Sequence, residues 1–275
     1  MREMIKAQSE AYMLGLAADV VYMQKPYWCN MTERQLKMSI IHPREYYTYD
    51  QSVRWPLLVF LCGGGFQKMD RNAHIPELAW FAEHGFVVAD VDYSVLPYTE
   101  FPEPLEEIKA AIRYLQANAD KYSIQRGKTV IMGESAGAYY AALAALTNGD
   151  KQYDVGEHLD ESSAVQLAVP FYPPSDVNNM GDPQKPANIR VRLDNFPDLC
   201  SLMTKDSVPM YMIHGTVDDQ VPYEHSIRLY EKLQECGVKE SRLTLIEGAN
   251  HGDARCFTPE IKERILDFMR KNLGL

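Results

Sequence analysis

Six near-continuous apolar runs, each four to seven residues long and separated by helix-like segments, constrain this chain most. They are 57–62 (LLVFLC), 86–91 (FVVADV), 129–132 (TVIM), 165–171 (VQLAVPF), 208–213 (VPMYMI) and 243–246 (LTLI). A strand with one wet face alternates apolar and polar residues, whereas one covered on both faces has no polar positions to alternate with. The intervening segments at 75–84, 104–120, 136–146, 224–235 and 260–272 carry helical periodicity. In the second, Leu105, Ile108, Ile112 and Leu115 share a face and Pro104 suits a first turn; in the last, Ile261, Ile265, Phe268 and Met269 repeat the pattern. Strand–helix alternation of this kind predicts an α/β class: one mostly parallel, twisted sheet with helices on both faces. An earlier run, 35–41 (QLKMSII), alternates more and is expected at an edge.

The 275 residues suit a single domain of this type, taken as 1–275. One stretch breaks the rhythm: 173–206 is rich in Pro, Asn and Asp. A loop this long is usually functional or disordered, and it is expected to form a small lid or insertion over the site. The net charge of −10 repels phosphate backbones and anionic bilayers, so neither nucleic acid nor membrane is an expected partner. No apolar run reaches the ~18 residues of a membrane span, and the charged N-terminus lacks a signal peptide's apolar core. Five scattered cysteines, with no CxxC pair, fit reduced thiols in a cytoplasm rather than a disulfide framework or a zinc site.

The chemistry concentrates in Gly133-Glu134-Ser135-Ala136-Gly137, between the run at 129–132 and an Ala-rich helix. A sharp strand-to-helix turn exposes a serine hydroxyl, and glycines two residues to either side leave the room it needs. Serine requires a base, and two loops beyond later strands offer the parts in the order acid, then base. His214-Gly215-Thr216-Val217-Asp218-Asp219 comes first, then Gly248-Ala249-Asn250-His251-Gly252. Ser135 is the candidate nucleophile and His251 the candidate base. Either Asp218 or Asp219 orients the ring, and His214 is expected to pack or hydrogen-bond at its strand end. Gly63-Gly64-Gly65 follows the run at 57–62 and lets backbone amides approach a substrate oxygen. The amides of Gly64, Gly65 and Ala136 are the candidate oxyanion hole.

Together these segments resemble the hormone-sensitive-lipase-like and acetyl- and feruloyl-esterase-like branch of the α/β-hydrolase superfamily. Cys62-Gly63-Gly64-Gly65-Phe66 resembles its His-Gly-Gly-Gly-aromatic motif. Asp92-Tyr93-Ser94-Val95-Leu96-Pro97, with Phe101-Pro102, resembles its Asp-Tyr-Arg-Leu-Ala-Pro and Phe-Pro signature. The resemblance runs from about residue 55 to the C-terminus and puts the acid at Asp218. It implies an α/β-hydrolase fold and hydrolysis of small-molecule carboxylic esters, among them acetylated or feruloylated carbohydrates, without metal or organic cofactor. It also leaves open an arylformamidase-like amidase or a catalytically silent binding module. Two positions depart from the pattern: Cys62 stands for histidine and Ser94 for arginine. Cys62 is itself a conceivable nucleophile, but no histidine follows it in a matching pattern. Phe66, Tyr139, Tyr140 and Tyr172 either wall an acyl or sugar pocket or pack into the core.

Overall fold

The computed structural model describes residues 2–6, 12–27, 29–44, 52–179 and 195–275. Its centre is an eight-stranded sheet. In chain order the strands are β1 (Met13–Tyr27), β2 (Thr32–Arg44), β3 (Trp55–Leu61), β4 (Val87–Val91), β5 (Ile124–Glu134), β6 (Leu167–Phe171), β7 (Tyr211–Gly215) and β8 (Arg242–Ile246). Their spatial order is β1-β2-β4-β3-β5-β6-β7-β8. The β1–β2 and β2–β4 pairs are antiparallel and all the others parallel.

The unbroken apolar runs are explained by two cores. Along β3, Leu57, Val59 and Leu61 enter one cluster while Leu58, Phe60 and Cys62 enter the other. Helices α2 (Glu103–Ala117), α3 (Ala136–Leu146) and α4 (Glu224–Glu235) cover the first face through residues such as Leu105, Ile112, Tyr139, Leu229 and Leu233. Helices α1 (Ile75–Glu83) and α5 (Pro259–Leu273) cover the second through Leu78, Phe81, Ile265, Phe268 and Met269. Among the described residues, no helix is long and apolar enough to cross a membrane.

One sequence expectation changes. The run at 35–41 lies within β2, one strand in from the edge, because a fifteen-residue β1 pairs outside it. β1 escaped the periodicity argument for a physical reason. Its register with β2 shifts between Ala17 and Val20 and again between Val21 and Met23, and Asp19 has φ 55°. Each bulge moves the next side chain to the other face, so a period of two does not survive along the strand. β1 also brings Lys25 to the buried carboxylate of Glu107, 2.5 Å away; the Ser94 amide and hydroxyl donate to the same group at 2.6 and 2.8 Å. The cation beside Ser94 therefore comes from a distant strand. Residues 180–194, the middle of the stretch expected to form a lid, lie outside the described residues.

Candidate active site

The parallel strands β3, β5, β6, β7 and β8 end on one side of the sheet, and each candidate residue lies at or just past such an end. At the end of β5, Ser135 adopts φ 53°, ψ −119° and caps α3. That left-handed conformation costs a non-glycine residue about 1–3 kcal/mol. It is held by the Ser135 amide, which donates to the Phe171 carbonyl at the end of β6 (3.0 Å). The flanking glycines are steric requirements. A Cβ on Gly133 would lie 2.6 Å from the carbonyl carbon of Gly137. A Cβ on Gly137 would lie 2.7 Å from the carbonyl carbon of Leu61 and 2.8 Å from the carbonyl oxygen of Cys62.

Ser135 Oγ lies 2.9 Å from His251 Nε2, and His251 Nδ1 lies 2.7 Å from Asp218 Oδ2. Asp218, not Asp219, meets the ring. Its carboxylate is fully buried, and Oδ1 accepts the amides of Gln220 (2.9 Å) and Val221 (2.8 Å). Burial alone would raise the pKa of this group. Hydrogen bonds from His214, His251 and the Val221 amide outweigh it and hold the carboxyl well below the usual carboxylate range. His214 is completely buried. Its Nε2 faces two acceptors, Val221 O at 2.9 Å and Asp218 Oδ2 at 3.2 Å, and its Nδ1 meets Ser226 Oγ at 2.7 Å. Two acceptors on Nε2 assign the proton of the neutral ring to that nitrogen, so His214 braces the acid from behind.

Asn250 joins the two loops: its Oδ1 accepts the amides of Asp219 (3.0 Å) and His251 (2.7 Å). Gly215, the last residue of β7, permits the approach, because a Cβ there would lie 2.6 Å from the carbonyl carbon of Ala249. Tyr172 sits beside the His251 ring, with centroids 4.5 Å apart.

The glycine loop after β3 lies directly against Ser135. A Cβ on Gly63 would fall 2.9 Å from Ser135 Cβ. The Gly63 amide is occupied, donating to Glu134 Oε1 at 2.8 Å. Among the described residues, the amides of Gly64, Gly65 and Ala136 meet no hydrogen-bond acceptor. Gly64 has φ +138°, a conformation that side chains rarely adopt, and Phe66 follows at φ 62°. Tyr93 Oη donates to the Cys62 carbonyl at 2.5 Å and fixes the loop's start.

Cys62 has a partner that the sequence does not mark. His74, twelve residues later at the start of α1, brings a ring nitrogen within 4.8 Å of the thiol sulfur, and its Nε2 lies 3.6 Å from Glu134 Oε1. Cys62 and Glu134 beside the ring push the His74 pKa up to about 10. Glu134 Oε2 accepts from Tyr172 Oη at 2.9 Å. Burial of Glu134 works against its charge, yet His74, the Gly63 amide and Tyr172 together hold its pKa below the ordinary value. Spacing could not reveal this group, because its members come from β3, the α1 entry and β5.

The aromatic residues are core residues: Phe66, Tyr139, Tyr140 and Tyr172 are all at least 98% buried. Phe196, from the described C-terminal flank of the 173–206 stretch, packs on Phe66 (5.3 Å between centroids), Phe101 (5.4 Å) and Tyr139 (5.6 Å). Tyr139 Oη donates to the Pro197 carbonyl at 2.7 Å. That flank is therefore seated on the helix that carries Ser135.

The BD-FAE family model matches residues 46–233. The chain is 28% identical over 214 residues to Esterase LipC of Mycobacterium tuberculosis, a match covering 72% of this chain and 53% of that protein. It is 27% identical over 234 residues to Esterase LipQ of the same organism, covering 78% and 55%. The chain thus spans about half the length of the curated relatives it matches. Among solved structures, it is similar to a truncated carbohydrate esterase from gut microbiota, with TM-score 0.77 and 22% identity over 98% of this chain and 99% of that one. It is also similar to the native Est2 esterase of the planctomycete Thermogutta terrifontis, with TM-score 0.73 and 26% identity over 92% of each. With more than half of its length matched by that family model, on a fold shared with these esterases, the chain belongs to the BD-FAE family of α/β-hydrolases.

Proposed function

We propose that this protein hydrolyses carboxylic esters through an acyl-enzyme on Ser135. The observation that carries the reading is the continuous relay from Ser135 Oγ to His251 (2.9 Å) and from His251 to buried Asp218 (2.7 Å). In this mechanism Ser135 Oγ attacks the ester carbonyl while His251 Nε2 takes its proton. The same nitrogen then protonates the departing alcohol, and a water activated by His251 releases the acid. Asp218 holds the ring in the tautomer that leaves Nε2 free to accept, and it stabilises the imidazolium. The amides of Gly64, Gly65 and Ala136 receive the negative oxygen of the tetrahedral intermediate. They favour it over the neutral carbonyl because they are positioned before charge develops. A Ser-His-Asp relay so arranged also speaks against a silent binding module.

Among esters, acetyl and feruloyl esters of carbohydrates are the class to test first, in line with the family resemblance. An arylformamidase-like action on N-formyl amines would use the same machinery. All five cysteines are free, which supports a reducing, cytoplasmic setting. Labelling by a fluorophosphonate, mapped to Ser135 by mass spectrometry, tests the nucleophile. A panel of acyl esters, acetylated oligosaccharides and N-formyl aromatic amines ranks the substrates. Absence of labelling in a folded preparation refutes the reading.

A further inference from the structure

We propose that Cys62, His74 and Glu134 form a binding site for one thiophilic divalent cation, such as Zn²⁺, directly beneath the glycine loop. Their donor atoms, one thiol sulfur, one imidazole nitrogen and one carboxylate oxygen, all lie within 4.8 Å of one another. The spacing approaches that of a coordination shell. Tetrahedral zinc with ordinary bond lengths sets its S and O ligands about 3.5 Å apart and its N and O ligands about 3.3 Å apart. Here Cys62 Sγ and Glu134 Oε1 are 3.8 Å apart, and His74 Nε2 and Glu134 Oε1 are 3.6 Å apart. Both of these edges need to contract by only a few tenths of an ångström, and the third, between Cys62 and His74, lies within 4.8 Å.

The donor set selects the metal class. Thiolate and imidazole favour zinc and its softer relatives over magnesium or calcium, which prefer oxygen alone. The site is held from outside as well. The His74 ring packs on Phe60 (5.3 Å between centroids) and on Phe257 (5.5 Å). Glu134 Oε2 is bonded to Tyr172, which leaves Oε1 directed at the other two donors. Cys62 is buried, but the His74 side chain is 23% exposed, and this offers the ion an access route. Three protein donors leave the fourth position to water. On binding, the Cys62 thiol and the His74 Nε2–H release their protons to solvent and the metal takes their place.

The consequence for turnover rests on the proposed ester hydrolysis; the binding claim does not. Glu134 Oε1 is also the acceptor for the Gly63 amide. Coordination draws charge from that oxygen, weakens its hold on the glycine loop and lowers turnover.

The test is equilibrium dialysis of the full chain against Zn²⁺, with Co²⁺ as the optical probe. The expected result is one Zn²⁺ per chain and a thiolate-to-cobalt charge-transfer band in the near ultraviolet. Cys62→Ser and His74→Gln should each weaken binding by more than about tenfold. His251→Ala and Cys29→Ser should leave it unchanged, which excludes the His251–Asp218 pair and the exposed thiol. No saturable binding, or a wild-type cobalt complex without the charge-transfer band, overturns the site whether or not the variants fold. Binding undiminished in folded Cys62→Ser overturns it too. Full occupancy with undiminished ester turnover overturns the inhibitory consequence alone.

Discussion

Replacing Gly137 with alanine adds one methyl group, and the structure says where it would go. The new Cβ would stand 2.7 Å from the carbonyl carbon of Leu61 and 2.8 Å from the carbonyl oxygen of Cys62, with the Leu61 carbonyl oxygen nearer still. Reaching the 3.4 Å of ordinary contact requires a separation of at least about 0.7 Å, and more to clear that oxygen. Leu61 cannot supply the movement, since β3 is locked on both sides by β4 and β5. Helix α3 must therefore move, and Ser135 caps it. Displacements near 1 Å at a reacting atom cost about 10²-fold in rate, and overpacking of this kind costs about 1–3 kcal/mol of stability. The assay is steady-state hydrolysis of a chromogenic acetyl ester by Gly137→Ala, beside its melting curve. Gly149→Ala is the control: it has φ +75° and nothing within 4 Å of the added atom, so it should lose about 1 kcal/mol by backbone strain and keep its turnover. A folded Gly137→Ala enzyme with kcat within threefold of wild type would refute the argument that the glycine serves contact between α3 and the loop.

Ser135→Ala and His251→Ala should each lower turnover by several orders of magnitude with the fold intact, measured by single-turnover kinetics and circular dichroism. Asp218→Asn should cut kcat strongly and Asp219→Asn little; the reverse ranking would reassign the acid. Gly64→Val, at φ +138° with a Cβ 2.7 Å from the Lys68 carbonyl carbon, should depress kcat more than it raises KM, at a cost of ~3–4 kcal/mol in barrier if one donor is lost. Asp90 is buried, and burial raises its pKa to about 6, against the opposing pull of the Asn72 amide, Arg71 and His74. The folded state therefore holds this proton where the unfolded state has released it. Its contribution is present below about pH 4 and is lost as pH rises through 6, by up to ~3 kcal/mol. Urea titrations should show Asp90→Asn flattening that part of the stability profile; parallel profiles would show that Asp90 does not titrate there.

Much of this architecture can be read without coordinates, for identifiable reasons. The six central runs are apolar because helices cover both faces, so composition alone marks them as strands. The elbow is legible because only glycine fits at 133 and 137. Residue type alone does not separate Asp218 from Asp219; only the loop's resemblance to the family pattern favours Asp218. The choice depends on which carboxylate turns inward beneath Val221, a matter of loop geometry. β1 is hidden because its bulges scramble the alternation. His74 is hidden because a histidine near the start of a helix has no local mark of its purpose; only the docking of α1 on the second core brings it under Cys62. Lys25 beside Glu107 is invisible for the same reason, being set by an edge strand's register.

The bond between Ser135 and His251 spans 116 positions of the chain. Between them, the Ser135 amide rests on Phe171, and the next amide along β6, that of Tyr172, rests on Ile213 in β7. Three successive strands are thus chained end to end before the base arrives from beyond β8. A fragment or an early collapsed state that lacks β8 cannot assemble the relay. Recovery of hydrolysis after dilution from denaturant should therefore trail recovery of helical signal, which α2 and α3 can regain through neighbouring residues alone. Under the proposed hydrolysis, the return of turnover reports the arrival at Ser135 of the loop beyond β8.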